Sequence, residues 1–176
     1  PSANITTKVS AVKAKDVKEE FGNKIKYILD GGTCAIGIES TIINLVGKPS
    51  ILRLGGLDIL KIQKTLGFKI NTSTNPRKKI APGQSRLHYS PGIPLRMNVT
   101  KPKNNEAFII IKRKKTKLRN YFYLTSKNNL DEAAKNLYSC LRKIKNEGYK
   151  SIAVEKIPNI GLGKAINDRL RRASKY

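Results

Sequence analysis

An α/β fold in two parts, joined by a long irregular segment, is what this 176-residue sequence predicts. Three observations carry that expectation. Short β-branched runs alternate with amphipathic helical patterns near both ends of the chain. Between them, NTSTNPRKKIAPGQSRLHYSPGIP has no period and is rich in Pro, Gly, Ser and Asn. A stretch of that length without periodicity reads as a functional lid, an interdomain linker, or both. The expected parts are residues 1–70, a linker at 71–94, and a small domain of alternating strands and helices at 95–176.

In the first part, AVKAKDVKEEF predicts a short helix over 11–21, with Val12, Val17 and Phe21 on its apolar side and Gly22 as its stop. KYILDGG is a brief apolar run closed by the turn residues Asp30, Gly31 and Gly32. GIESTIINLVG is a strand candidate, and PSILRLGG a second one ending in a glycine pair. DILKIQKTLG is expected to be helical, capped by Asp58 and terminated by Gly67. Beyond the linker, AFIIIKRKK and NYFYLT predict strands. NNLDEAAKNLYSCLRKIKNEG is the clearest helix: Leu130, Ala133, Ala134, Leu137, Leu141 and Ile144 share a face, Asn129 can cap it and Gly148 can end it. SIAVEKI then predicts a strand and KAINDRLRRAS a final helix.

Thirty-six Lys and Arg against 12 Asp and Glu give a formal charge of +24. Such a field attracts polyanions, whether nucleic acid, nucleotides or pyrophosphate, although a Lys-rich solvated surface produces the same number. Seven Tyr, four Phe and no Trp leave few platforms on which bases could stack. No apolar run approaches the ~18 residues of a membrane span, and a cytoplasmic location is expected. Cys34 and Cys140 lie far apart and belong to no CxxC, so both are expected to be reduced thiols in buried packing roles. His88 is the sole histidine, which leaves almost nothing from which to build a zinc site or a Ser-His-Asp triad.

Several polar residues stand where chemistry could occur. Glu39, Ser40 and Thr41 interrupt an otherwise apolar strand candidate. Each such group costs about 1–3 kcal/mol if buried without a partner. They either bond neighbouring backbone at a strand start or point into a ligand cleft. Arg53, between two leucines and before two glycines, suits a bidentate grip on phosphate or a surface ion pair. Ser2 and Asn4 in PSAN, with Ser10 beyond, are small donors able to approach a nucleotide closely. In HYSP, Tyr89 either pins the linker to the domain surface or reaches a nucleotide when a lid closes. No Walker loop, GxGxxG or HExxH occurs.

The stretches PSAN, LDGG, GIESTI, ILRLGG, APGQ..LHYSP..PL and GLGKAINDRLRRAS, in this order across essentially the whole chain, resemble the threonylcarbamoyl-AMP synthase family in its two-domain form. The resemblance implies the C-terminal part of a YrdC-type twisted mixed α/β domain, then a linker and a small Rossmann-like α/β domain. It implies synthesis of threonylcarbamoyl-AMP and pyrophosphate from L-threonine, bicarbonate and ATP, a nucleotidyl transfer. Magnesium would accompany ATP, with no organic cofactor, and the product would pass to the machinery that threonylcarbamoylates tRNA. On the same basis Ser2, Asn4, Ser10, Arg53 and Tyr89 would bind ATP and Ser40 would bind threonine, with no covalent nucleophile and no metal held by protein ligands.

The family's YrdC-type domain begins well before PSAN and carries there a KxR motif and much of the threonine pocket. The resemblance therefore implies a chain that holds half a site and is inactive by itself. Two other readings compete. One is a double-stranded RNA or tRNA-binding module of YrdC type, which the basic charge invites. The other is the related carbamoyl-AMP chemistry of hydrogenase maturation, against which the HYSP linker and the GLGKAINDRL ending argue.

Overall fold

A computed structural model describes residues 3–74, 76, 80–85, 87–114 and 118–175. The elements in order are α1 (Ala14–Phe21), β1 (Ile42–Asn44), β2 (Ser50–Arg53), α2 (Ile59–Leu66), β3 (Asn71–Thr72), β4 (Leu95–Arg96), β5 (Ala107–Lys112), β6 (Tyr121–Thr125), α3 (Leu130–Asn146), β7 (Ile152–Val154) and α4 (Gly163–Ala173). They make two sheets, β1-β2-β3 and β4-β7-β5-β6.

The second sheet is parallel throughout. Its central strand β5 is apolar at successive positions because both faces are covered. One face packs Ile109, Leu124, Ile152 and Val154 against Leu137, Leu141 and Ile144 of α3 and Ile166 and Leu170 of α4. The other face carries a smaller cluster of Phe108, Ile110 and Ala153. This is the α/β domain expected after the linker. The larger core does not stop at its edge: Val9, Val12, Ile38 and Tyr89 from earlier in the chain belong to it.

Helix α3 begins as its sequence requires. Asn129 Oδ1 accepts from the amides of Asp131 (2.8 Å) and Glu132 (3.0 Å). Asp131 and Glu132 lie at the positive end of the helix dipole, Lys143 and Lys145 at the negative end. Asn129→Ala is expected to lower stability by about 1 kcal/mol, read as a shift in the urea midpoint at constant slope.

In the first part β1 runs antiparallel to β2 with an irregularity between Ile42 and Ile43, and β3 extends the sheet in parallel. Ile59 and Ile62 of α2 bury themselves against Ile51 and Ile70. Asp58 caps α2 by accepting from Leu60 N (2.9 Å), and Gly67 ends it at φ 75°. Tyr27, Leu29, Ile36, Leu45 and Val46 are all more than half exposed.

Four expectations need correction. GIESTIINLVG pairs as a strand only at Ile42–Asn44. Upstream of it, a Cβ on Gly37 would lie 2.4 Å from the Lys135 carbonyl oxygen, so the chain there lies backbone-to-backbone on α3 and not in the sheet. The helix expected from residue 11 starts at Ala14, because the buried Asp16 carboxylate accepts from Val12 N (2.9 Å) and holds that segment outside the helix. The segment 71–94 is irregular but far from structureless. Asn71–Thr72 form β3, and the buried Gln84 side chain accepts from the amides of Ile80 and Ala81 while donating to the carbonyls of Leu52 and Ser73. Finally, Cys34 is exposed: its amide donates to Val12 O (2.8 Å), which ties down the backbone and leaves the side chain outside. Cys140 is buried as expected, and burial pushes its thiol up to about 12.

Among the described residues no helix is long and apolar enough to cross a membrane.

Candidate active site

Strand β2 ends at Arg53 and leaves the sheet through Leu54 into Gly55 and Gly56. A Cβ at Gly55 would lie 2.3 Å from the Glu39 carbonyl oxygen and from the backbone of Ser40 and Thr41. Only glycine permits that approach. The Gly56 amide donates to Glu39 O at 2.9 Å and locks the two segments together. Arg53 then reaches across: Nε donates to Ser40 O (3.0 Å) and Nη2 to Ser40 Oγ (3.2 Å), while Nη1 stands 3.4 Å from Pro82 O in the linker. Thr41 Oγ1 donates to Leu57 O (2.7 Å) and accepts from Leu57 N (3.2 Å). Thr41 therefore clasps backbone, one of the two roles considered for these polar residues, and Ser40 is exposed beside Arg53.

Glu39 turns the opposite way, into the seam between the two parts. Its carboxylate accepts from Ser10 Oγ (2.6 Å), from Tyr138 Oη (3.0 and 3.1 Å) and from Arg169 Nε (3.0 Å). Arg169 is only 1% exposed. Its Nη1 donates to Asp168 (3.0 Å), and its guanidinium lies 4.9 Å from the Tyr89 ring centroid. Tyr89 in turn stacks on Tyr138 at 5.7 Å. Asp168 also accepts from Arg172 Nε (3.1 Å), and Arg172 donates to the carbonyls of Ser85 (2.9 Å) and Thr74 (2.8 Å). Helix α4 thus grips both the linker and the GIEST segment.

The electrostatics follow from burial among these charges. Burial pushes the Glu39 carboxyl up, but the Arg169 charge and the hydroxyl donors of Ser10 and Tyr138 outweigh it, so its pKa falls below the ordinary value. Burial raises the Tyr89 and Tyr138 phenols, which keeps both protonated at neutral pH. Burial lowers His88, leaving a neutral ring whose Nδ1 accepts from the Tyr89 amide (3.0 Å). A depressed carboxylate contributes stability in full above its unfolded pKa, about 4.5, and loses it as pH falls through the lower folded value. The gap in melting temperature between the parent protein and Glu39→Gln is therefore expected to narrow steadily as pH drops below about 4.5.

Of the residues marked in the sequence, Ser10 and Tyr89 lie in this seam, and Ser40 and Arg53 pair at the edge beside it. Ser40 is exposed and Arg53 half-buried, whereas Ser10 and Tyr89 are buried. Ser10 faces Glu39 and not an open cleft. Tyr89, read from the sequence either as a pin for the linker or as a lid contact, is enclosed between Arg169 and Tyr138, with its hydroxyl buried and without a hydrogen-bond partner among the described residues. Asn4 donates to the carbonyls of Ile5 and Lys8, shaping a turn that leads into the Lys8–Ser90 bridge. Thr7, Lys8 and Val9 are thereby laid against the linker at Ser90. Ser2 lies outside the described residues. Among the described residues no group of three His, Cys, Asp or Glu is placed to hold a metal.

Sequence reading missed Tyr138, Asp168, Arg169 and Arg172. One signal was available. Asp168 has arginines one and four residues on, within a helix whose Ala165, Ile166, Leu170 and Ala173 must be buried. Charges that close to a buried face imply paired partners.

Fold and site together define a two-part α/β protein whose second part clamps the linker beside the Arg53–Ser40 strand end. The chain belongs to the threonylcarbamoyl-AMP synthase family: residues 57–175 match the family model described as threonylcarbamoyl-AMP synthase, C-terminal domain. Residues 1–55 match a second model, described as telomere recombination. The chain is 34% identical over its whole length to threonylcarbamoyl-AMP synthase of Pyrococcus abyssi and 30% identical over 99% of its length to that of Bacillus subtilis. It spans 57% and 56% of those proteins. Its structure superposes over the whole chain on the crystal structure of P. abyssi Sua5 complexed with L-threonine, with a TM-score of 0.85 at 33% identity and 57% coverage of that chain. A variant of the same Sua5 with an adjacent histidine and tyrosine both changed to alanine gives a TM-score of 0.80 at 31% identity, covering all of this chain and 56% of that one.

Proposed function

We propose that this chain supplies the nucleotide- and threonine-facing edge, the linker and the second domain of an L-threonylcarbamoyladenylate synthase. The observation that carries the reading is the Arg53–Ser40 clasp at the end of β2, in a chain that superposes along its length on a threonine-bound relative. L-threonine, bicarbonate and MgATP are the substrates, and threonylcarbamoyl-AMP and pyrophosphate the products. Bicarbonate gives CO2 on losing hydroxide, and threonine's amine takes up the CO2 and loses a proton to form a carbamate, the proton and hydroxide leaving as water. The carbamate oxygen then attacks the α-phosphorus and displaces pyrophosphate. Arg53 supplies a fixed positive charge to phosphate, and its weak contact with Pro82 O at 3.4 Å leaves Nη1 available to a ligand. Ser40, exposed beside it, offers a hydroxyl to threonine. Ser2 and Asn4 are assigned to the nucleotide side by the family resemblance, and the buried Ser10 and Tyr89 support that side from behind through Glu39 and Arg169. Positioning and charge stabilisation carry the reaction, without a covalent nucleophile. The adenylate then serves tRNA modification in the cytoplasm.

The test is pyrophosphate release with MgATP, bicarbonate and L-threonine. The chain is assayed beside a version bearing, at its N-terminus, the part of the relatives' length that it does not span. Threonine-dependent release by the longer version alone supports the reading, including the half-site. Release by neither refutes it. A second reading, backbone binding of tRNA, is favoured by the +24 charge and by Arg113 lying over the exposed Tyr123 ring at 5.3 Å. Its mark is an affinity that falls steeply with salt.

A further inference from the structure

Arg169 is held by more than one partner and serves none of them completely. Its Nε is on Glu39, its Nη1 on Asp168 and its plane over Tyr89, yet Nη2 is buried with no hydrogen-bond partner among the described residues. The Tyr89 hydroxyl is buried and unpaired in the same way. Interiors rarely leave such groups unsatisfied for packing alone.

Two routes lead from this guanidinium to the same edge. On one side Glu39 is joined by its own peptide to Ser40, and its carbonyl accepts from Gly56. On the other, Tyr89 abuts the linker at Gly83, where a Cβ would lie 2.5 Å from Tyr89 Oη and 3.0 Å from Arg53 Cδ. Arg53 then closes the ring by gripping Ser40. The contacts form a circuit: Arg169, Glu39, Ser40, Arg53, Gly83, Tyr89 and back to Arg169.

We propose that Arg169 is a positioning residue for the Ser40–Arg53 edge, through which helix α4 of the second domain sets the geometry of the site on the first. The proposal rests on the reading of that edge as the threonine and nucleotide contact. It assigns the second domain a part in the reaction without contact to substrate. A lysine at 169 would keep the charge but could not both hold Glu39 and lie flat on Tyr89.

The experiment compares Arg169→Lys with Lys164→Arg, elsewhere on α4, in the chain and in its N-terminally extended version. Amide hydrogen exchange at Gly56 reports the Glu39 carbonyl directly. It is expected to quicken about tenfold in R169K and not in K164R, while β5 amides keep their parent rates. The KM for L-threonine is expected to rise about tenfold with a smaller change in kcat.

Gly56 exchange at the parent rate in folded R169K overturns the proposal whatever the activity. A uniform increase extending to β5 also overturns it, because that is loss of structure and not of position. Local quickening in a protein with no threonine-dependent turnover supports the positioning circuit and refutes the functional reading alone. If R169K fails to fold, Tyr138→Phe removes only the hydroxyl that donates to Glu39. It should quicken Gly56 about threefold, and an unchanged rate there overturns the proposal.

Discussion

Asp168→Ala is expected to lower the stability of the chain by about 3–5 kcal/mol, the cost of breaking a buried ion network by removing one member. Asp168 is 3% exposed and its carboxylate faces Arg169 and Arg172, themselves 1% and 5% exposed. Without it Arg169 retains Glu39 and Arg172 retains the carbonyls of Ser85 and Thr74, but two buried guanidinium groups lose the anion they share. The linker grip weakens with them. Urea unfolding measures the loss. Asp168→Asn keeps an acceptor oxygen and should recover part of it, so the difference between the two variants isolates the charge. A shift under about 0.5 kcal/mol in both, the size of an ordinary surface substitution, would rule out α4 as a clamp.

Gly55→Ala is expected to do less to stability and more to function. The added methyl group would overlap the backbone of Glu39, Ser40 and Thr41 at 2.3 Å, where no flexible side chain can give way. Overpacking of this kind costs about 1–3 kcal/mol. Relief requires the two segments to part, which breaks the Gly56–Glu39 bond and carries Ser40 away from Arg53. A displacement near 1 Å in a positioned site reduces rate by about 100-fold. Threonine-dependent pyrophosphate release by the extended version should fall by that order while the fold persists. Gly31→Ala is the control, because a Cβ there meets nothing within 4 Å. Equal activity in the two variants would show that the close approach is not needed.

The sequence by itself determined the local elements. Helix α3 shows by its spacing the buried Ala133, Ala134, Leu137, Leu141 and Ile144, and carries a cap at Asn129 and charges suited to its dipole, all within one continuous segment. β5 reads as a covered strand because its apolar run is unbroken, and α2 is marked at both ends by Asp58 and Gly67. The order of the motifs was enough to identify the family. Ser40 and Arg53 stood out as candidates because a hydroxyl and a guanidinium lay among leucines and isoleucines beside glycines.

Tertiary structure alone decided where those groups point and what holds them. Glu39 and Arg169 are 130 residues apart, and Glu39 and Tyr138 are 99 apart. Periodicity reports which face of an element is buried, not which distant element covers it. Tyr89 illustrates the consequence: its place in a Pro- and Gly-rich segment left a pin and a lid contact equally open, and the fold buried it between an arginine and a tyrosine. Cys34 shows the converse, an apolar-looking residue left outside because only its backbone is needed. Pairing across such separations depends on how the chain is routed, and a polar side chain takes its partner from whatever that routing brings within hydrogen-bond reach.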